Sequence, residues 1–333
     1  MKHVLITGAS GFVARQLLHR HLLPWAVQGL CRLTLTDLVL PEVAQPGVRC
    51  VAGDLSDPLV WQDLMAEPFD VVFHLAAIVS GRAEQDYRAG LQVNLHSTLT
   101  ALECCRLQHQ RGGPLVQFIY ASSIAVYGTP LPARIDDGTP VRPGLSYGAH
   151  KRMIELMIDD LSRREEIDGR GLRLSGVVVR PQSANGALSG FNSDVIREPL
   201  SGNDFVCPVL PSACIWLTSA EVAVDQLWQL SQIPLTAWTR TLQSQGANAR
   251  PVFNATTWPL KVSTLVHALG EIDPQAPSRV SYDPAAPLQA QFGNWPENAE
   301  FGLANALDLP SDRARFGGDV VAFVRTALKA SLL

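Results

Sequence analysis

The chain has 333 residues, 47% of them hydrophobic and 17% charged, with a formal net charge of −4. That length suits a large α/β unit or two lobes around a substantial core. The charge gives no reason to expect nucleic acid or an acidic membrane as a partner, and no apolar run approaches the roughly 18 residues of a membrane span. Residues 1–7 are too short for a signal peptide and run straight into a glycine turn, so a cytoplasmic protein is expected. The cysteines, at 31, 50, 104, 105, 207 and 214, fall into no CxxC or Cys/His spacing; reduced thiols and no metal site are expected.

The apolar run at 4–7 leads into Gly8-Ala9-Ser10-Gly11-Phe12-Val13-Ala14 and then a helical pattern. Strand, glycine turn and helix in that order let backbone N–H groups approach a pyrophosphate, with the partial positive charge of the helix N-terminus behind them. Gly8, Ser10, Gly11, Phe12 and Val13 are therefore candidate cofactor contacts. A second strand at 32–35 ends in Thr36-Asp37. An acid there accepts bonds from ribose hydroxyls and repels a 2′-phosphate, so Asp37 predicts NAD over NADP. Arg32, at the far end of that strand, does not reverse the preference. A third strand at 48–52 runs into Asp54-Leu55. A fourth, at 71–75, closes in His74-Leu75-Ala76-Ala77, where small residues let a cofactor lie close over the sheet. His74, interior to a strand, reads as a satisfied core histidine rather than an acid–base residue.

Residues 86–105 are helical in pattern, and the apolar run 115–120 reads as a buried fifth strand. Ser123 then sits at a C-terminal strand end, where open α/β sheets bind their ligands. A Pro/Gly/Asp-rich loop over 134–143 precedes a helix that carries Tyr147 and Lys151. Four residues apart on that helix, the two share one face. A phenol titrates near 10 and is a poor base at neutral pH, but a neighbouring ammonium favours phenolate. Base, activating cation and hydroxyl donor are thus all present. A sixth strand is expected at 172–179, ending at Arg180-Pro181. Beyond it come a polar loop over 182–190, a short helix at 191–200 stopped by proline, and a segment from Trp216-Leu217 returning to the main sheet. A last core strand follows at 251–255, and the chain closes in an amphipathic helix over 319–332.

The strand-end serines, Tyr147-x-x-x-Lys151 and the glycine turn together resemble the extended short-chain dehydrogenases, the NAD-dependent epimerase/dehydratase family. The resemblance implies a Rossmann-type doubly wound parallel sheet with a smaller C-terminal substrate lobe. Its NAD-binding domain would be 1–181 with returning segments at about 212–232 and 250–257; the substrate lobe would be 182–211 and 258–333. It implies Ser123, Tyr147 and Lys151 as catalytic residues, with Tyr147 and Lys151 also touching the cofactor. Asp54, Leu55, Leu75, Ala76, Ala77, Asn94 and Pro181 complete the implied cofactor set. Ala14 replaces the third glycine of the family turn, which Rossmann folds tolerate. Where dehydratases carry an Asp-Glu pair this chain has Ile124 and Ala125, which argues against water elimination.

Three segments look like the D-erythronate dehydrogenase branch of that family: His74 to Gly81, Ser122 to Val126, and Ser189 to Leu200. The branch implies NAD-dependent oxidation of a small sugar acid. Ser80, Ser123, Ile124, Tyr147, Asn185, Ser193 and Arg197 are the expected substrate contacts, with Arg197 as the bidentate partner of the carboxylate. The chain departs from the branch at Gln182-Ser183-Ala184-Asn185. A nucleotide-sugar epimerase would use the same three catalytic residues. A non-catalytic dinucleotide sensor would have no reason to keep Tyr147 and Lys151 in register. Family relatives dimerise through two helices, here about 86–108 and 146–164, so a homodimer burying Leu99, Leu102, Ile154 and Met157 is expected.

Overall fold

The computed structural model describes residues 1–40, 45–182, 187–246 and 249–330. Its strands are β1 (Lys2–Thr7), β2 (Cys31–Asp37), β3 (Val48–Ala52), β4 (Val71–His74), β5 (Gln117–Ser123), β6 (Asp168–Leu174), β7 (Gly176–Val178), β8 (Cys214–Ser219), β9 (Val252–Asn254) and β10 (Trp258–Lys261), beside one three-residue and one two-residue pairing at the periphery. Seven of them form one sheet in the order β9-β6-β5-β4-β1-β2-β3. Every pairing in it is parallel. The strand order reverses between β1 and β4, which opens a crevice at the carboxyl ends of the strands.

Alternation along the strands sends side chains to two helical layers. Val4 and Ile6, with Leu33, Leu35, Phe73 and Ile119, pack on α1 (Phe12–Leu17, extended by a wider turn at Leu18–Leu22) and on the helix Ala220–Gln232. Leu5, Val72, Phe118 and Tyr120 face the opposite layer, made by α2 (Ser97–Gln110) and α3 (Ser146–Arg163). Both faces of the sheet's centre are therefore buried, which is why β1, β4 and β5 each carry an apolar run.

Three expectations are corrected. The sixth strand begins at Asp168 and ends at Leu174, and Gly176–Val178 belongs to another sheet. Asp168 and Arg170 broke the apolar pattern, yet both are buried. Arg170 donates to both Asp168 oxygens at 2.9 and 2.7 Å and to the carbonyls of Leu230 and Ile233 at 2.7 Å each. Trp216-Leu217 does not return to the main sheet: β8 lies between β7 and β10 in a separate three-stranded sheet, and only the following helix rejoins the first core. Finally, Leu102 and Ile154 are 1% and 0% exposed inside the core. The stripe of α3 that carries Lys151, Ile154, Ile158 and Leu161 faces the sheet, so of the expected α3 residues only Met157 points outward, joined there by Met153 and Leu156.

A second core gathers Val178, Val195, Ile215, Leu217, Trp258, Leu265 and Phe323 around that smaller sheet. It rests on α4 (Phe191–Leu200) and a C-terminal helix, Val320–Ala330. The space between the two cores lies over Ser123 and Tyr147. No helix among the described residues is long and apolar enough to cross a membrane.

Candidate active site

The glycine turn after β1 has the shape a dinucleotide requires. Gly8 sits at φ +68°, and a Cβ there would fall 2.7 Å from the Ala76 Cα, so neither its conformation nor its clearance admits a side chain. Gly11 caps α1 in an extended conformation without a side-chain hydrogen bond, leaving the first N–H groups of the helix, those of Phe12 and Val13 among them, free for an anion. Asp37, at the end of β2, accepts from the backbone N–H of Ser10 at 3.0 Å and of Leu38 at 2.7 Å, and so stands beside the turn. Arg32 lies near the opposite end of β2 and pairs with Glu67.

Farther along, Asp54 accepts from Ser56 N at 2.8 Å, and Leu55 is buried with its carbonyl bonded to the Trp61 indole at 2.8 Å. Leu75 and Ala76 hang their N–H groups on Thr7, each at 3.3 Å, and Ala77 is exposed over the crevice. Asn94 clamps the same stretch: its carboxamide exchanges two bonds with the backbone of Ile78, at 2.8 and 2.9 Å. These residues fit NAD. With a carboxylate placed beside the turn, catalytic efficiency with NAD is expected to exceed that with NADP by at least roughly tenfold, or about 1.4 kcal/mol. Equal efficiency with both cofactors in steady-state assays would remove Asp37 from that role.

Ser123, Tyr147 and Lys151 converge where β5 meets α3. Gly148 makes the approach possible, since a Cβ there would lie 2.0 Å from the Ala125 carbonyl oxygen. Ser123 caps the turn after β5, accepting from Ala125 N at 3.1 Å, and lies in the same cavity wall as Tyr147, where its hydroxyl favours the ionised phenol. The Lys151 ammonium donates to the Ala121 carbonyl at 2.7 Å and lies 5.6 Å from the Tyr147 ring centroid and 4.6 Å from that of Tyr120. Burial brings Lys151 down to about 7, partly offset by the carboxylate of Glu155 one turn along. Burial likewise pushes the Tyr147 phenol up, while Arg180 and the Ser123 hydrogen bond pull it back. His74 is a satisfied core residue: its ring nitrogens meet Thr7 and Thr98 hydroxyls at 3.0 Å each, and burial, with the Lys151 charge, lowers it to about 3.

Ser80, Ser123, Ile124 and Tyr147 line one cavity of about 120 Å³, roofed by Phe292 and Trp295. Ser193 is buried beside it but spends its hydroxyl on Arg180 N at 3.1 Å. Arg197 is not brought to the cavity. Its guanidinium is taken up by Asp194, by Glu198 at 3.0 Å and by the Arg180 carbonyl at 2.6 Å. Asn185 lies outside the described residues. The cation that does line the cavity is Arg180, which directly precedes Pro181. In the sequence Arg180 stands out only as a strand end, a lone arginine closing Val177-Val178-Val179. Asn192 was missed for want of any signal, since one polar residue among several in a polar stretch stands out in no pattern.

The profile of the NAD dependent epimerase/dehydratase family matches residues 4–211, more than half the chain. The chain belongs to that family. Within it, the D-erythronate dehydrogenase of Cupriavidus necator is 40% identical over 339 residues, spanning 98% of each chain. The D-erythronate dehydrogenase of Haemophilus influenzae is 40% identical over 240 residues, 71% of this chain and 75% of that one. Among solved structures, the nucleoside-diphosphate-sugar epimerase of Agrobacterium tumefaciens superposes with a TM-score of 0.86 at 30% identity, covering 99% of this chain and 94% of that one. An L-threonine dehydrogenase of Clostridium difficile shares the fold, with a TM-score of 0.83 at 19% identity and coverage of 99% and 98%. The family member described here is an NAD-dependent enzyme.

Proposed function

We propose that this enzyme oxidises a short sugar acid of the D-erythronate type at the hydroxyl beside its carboxylate, with Ser123, Tyr147 and Lys151 as the catalytic residues. The observation that carries the reading is 40% identity, end to end, to an enzyme of that name. NAD supplies the hydride acceptor. Tyr147 takes the hydroxyl proton, Lys151 holds charge and position behind it, and Ser123 steadies the substrate oxygen as it becomes a carbonyl. Ser80 and Ile124 shape the near wall of the cavity. The substrate-facing lobe on this reading comprises 182–211 and 258–333, whose Phe292 and Trp295 close the cavity from above.

Nucleotide-sugar epimerisation is the second reading, favoured by the 30% identity to a protein of that name. The cavity of about 120 Å³ argues against it, because sites for drug-sized ligands run to roughly 300–1,000 Å³. A screen of NADH formation with C4 and C5 aldonates, run beside an epimerisation assay on UDP-sugars, separates the two. Robust epimerisation without aldonate oxidation would overturn the first reading.

A homodimer belongs to the same proposal. Met153, Leu156 and Met157, 39%, 51% and 38% exposed on the outer face of α3, give two copies an apolar seam. Light scattering at micromolar concentration is expected to give twice the 36.1 kDa of the chain. A monomeric mass would rule the dimer out.

A further inference from the structure

We infer that Arg180 and Asn192 form the specificity pair of this site: Arg180 receives the substrate carboxylate, and Asn192 reads a hydroxyl on the carbons beyond the reacting one. The inference rests on the sugar-acid reading above and deepens it. Arg180 is drawn inward by its own neighbours. Its backbone N–H donates to Ser193, its carbonyl accepts from Arg197, and its Nε donates to the Val177 carbonyl at 3.1 Å. Among the described residues, that is the guanidinium's one hydrogen bond, and it makes no ion pair. A half-buried cation without an anion is costly, and two free terminal nitrogens on one edge are the fork that a carboxylate fits. The charge is felt at Tyr147, which it pulls toward phenolate. An anion bound to Arg180 is therefore next to the base, where an α-hydroxy acid carries its carboxylate.

Asn192 stands on α4, 6% exposed, and lines the same cavity. Its Oδ1 has no hydrogen-bond partner among the described residues. A buried carboxamide oxygen left unpaired costs free energy that a ligand hydroxyl recovers. The fold has cleared room for it: a Cβ on Gly176 would lie 2.6 Å from the Asn192 Nδ2, so only glycine at that position leaves the amide where it is. Cation and acceptor together select a polyhydroxy acid over a simple 2-hydroxy acid, because rejection is strongest when a missing hydroxyl leaves a buried group unpaired.

The test is calorimetric titration of D-erythronate and of 2-hydroxybutyrate, which lacks the distal hydroxyls, into the enzyme saturated with NADH. The wild type is expected to bind erythronate the more tightly. Arg180→Gln is expected to weaken both ligands by roughly ten- to a hundredfold, with Arg180→Lys recovering part of the loss. Asn192→Leu is expected to weaken erythronate alone and so erase the preference. NADH affinity, measured by fluorescence on each variant, reports whether it is folded. Arg180→Gln within about threefold of wild type on both ligands, or an Asn192→Leu protein that keeps the preference, overturns the inference. Turnover of erythronate that ignores Arg180 sinks the pair and leaves the reaction standing. Arg180-dependent binding without turnover sinks the reaction and leaves the pair.

Discussion

Tyr147→Phe is expected to lower kcat for sugar-acid oxidation by about 10²–10⁴-fold, the range for losing a positioned general base. The hydroxyl is the one atom removed, and the ring keeps its place beside Ser123 and over the Lys151 stem. The glycine turn after β1, Asp37 and the clamp from Asn94 to Ile78 are untouched, so NAD affinity should stay within a few-fold. Stopped-time assays with fluorescence titration of NADH separate the two quantities. A Phe variant that retains most of its turnover would refute the assignment of the base. The phenol is pushed up by burial before substrate and cofactor arrive, so the wild-type oxidation rate should rise from neutral to alkaline pH, and the variant should lose that rise.

Glu155→Ala should cost about 3–5 kcal/mol of stability, because it strands a buried guanidinium. Glu155 is 2% exposed and Arg173 is 5% exposed. Arg173 donates to both carboxylate oxygens, at 2.9 and 2.8 Å, and Ser122 donates at 2.6 Å from the strand end that carries Ser123. Arg173 continues to the Tyr127 hydroxyl at 3.0 Å, which in turn donates to Asn254 on the edge strand at 3.0 Å. The network therefore ties three strands to α3 one turn below Lys151. Replacing both partners by apolar residues, Glu155→Leu with Arg173→Met, should recover most of the loss, since the penalty lies in the unpaired charge and not in the absent bridge. Urea midpoints decide it: a single variant as stable as wild type would show that the pair is screened by water.

Much of this was legible in the chain itself. β1 carries the apolar run Val4-Leu5-Ile6 and is followed by Gly8 and Gly11, and short-range geometry alone makes that a strand, a tight turn and a helix start. Tyr147 and Lys151 share a face because the helix has 3.6 residues per turn, whatever surrounds it. Asp37 and Ser123 were placed by the rule that ligands gather at the carboxyl ends of parallel strands, which follows from the topology that the strand–helix alternation imposes.

The remaining decisions belonged to the tertiary structure, for one physical reason: a charged or amide side chain has no position until its partners are known. Asp168 and Arg170 fell outside the strand expected at 172–179 and proved to be the start of a buried strand, because each satisfies the other and two carbonyls from a distant helix end accept from Arg170 as well. Ile154 and Met157 look alike in sequence, but only packing on the sheet says which face of α3 is inside. Arg197 had the better sequence context and Arg180 the poorer one. Asp194 and Glu198, three residues and one residue away on the same helix, occupy Arg197. Arg180, left without an anion among its described neighbours, keeps its terminal nitrogens for the cavity. Local periodicity fixes which residues form helices and strands; which cation is free to meet a substrate is settled only when every other charge has found its counterpart.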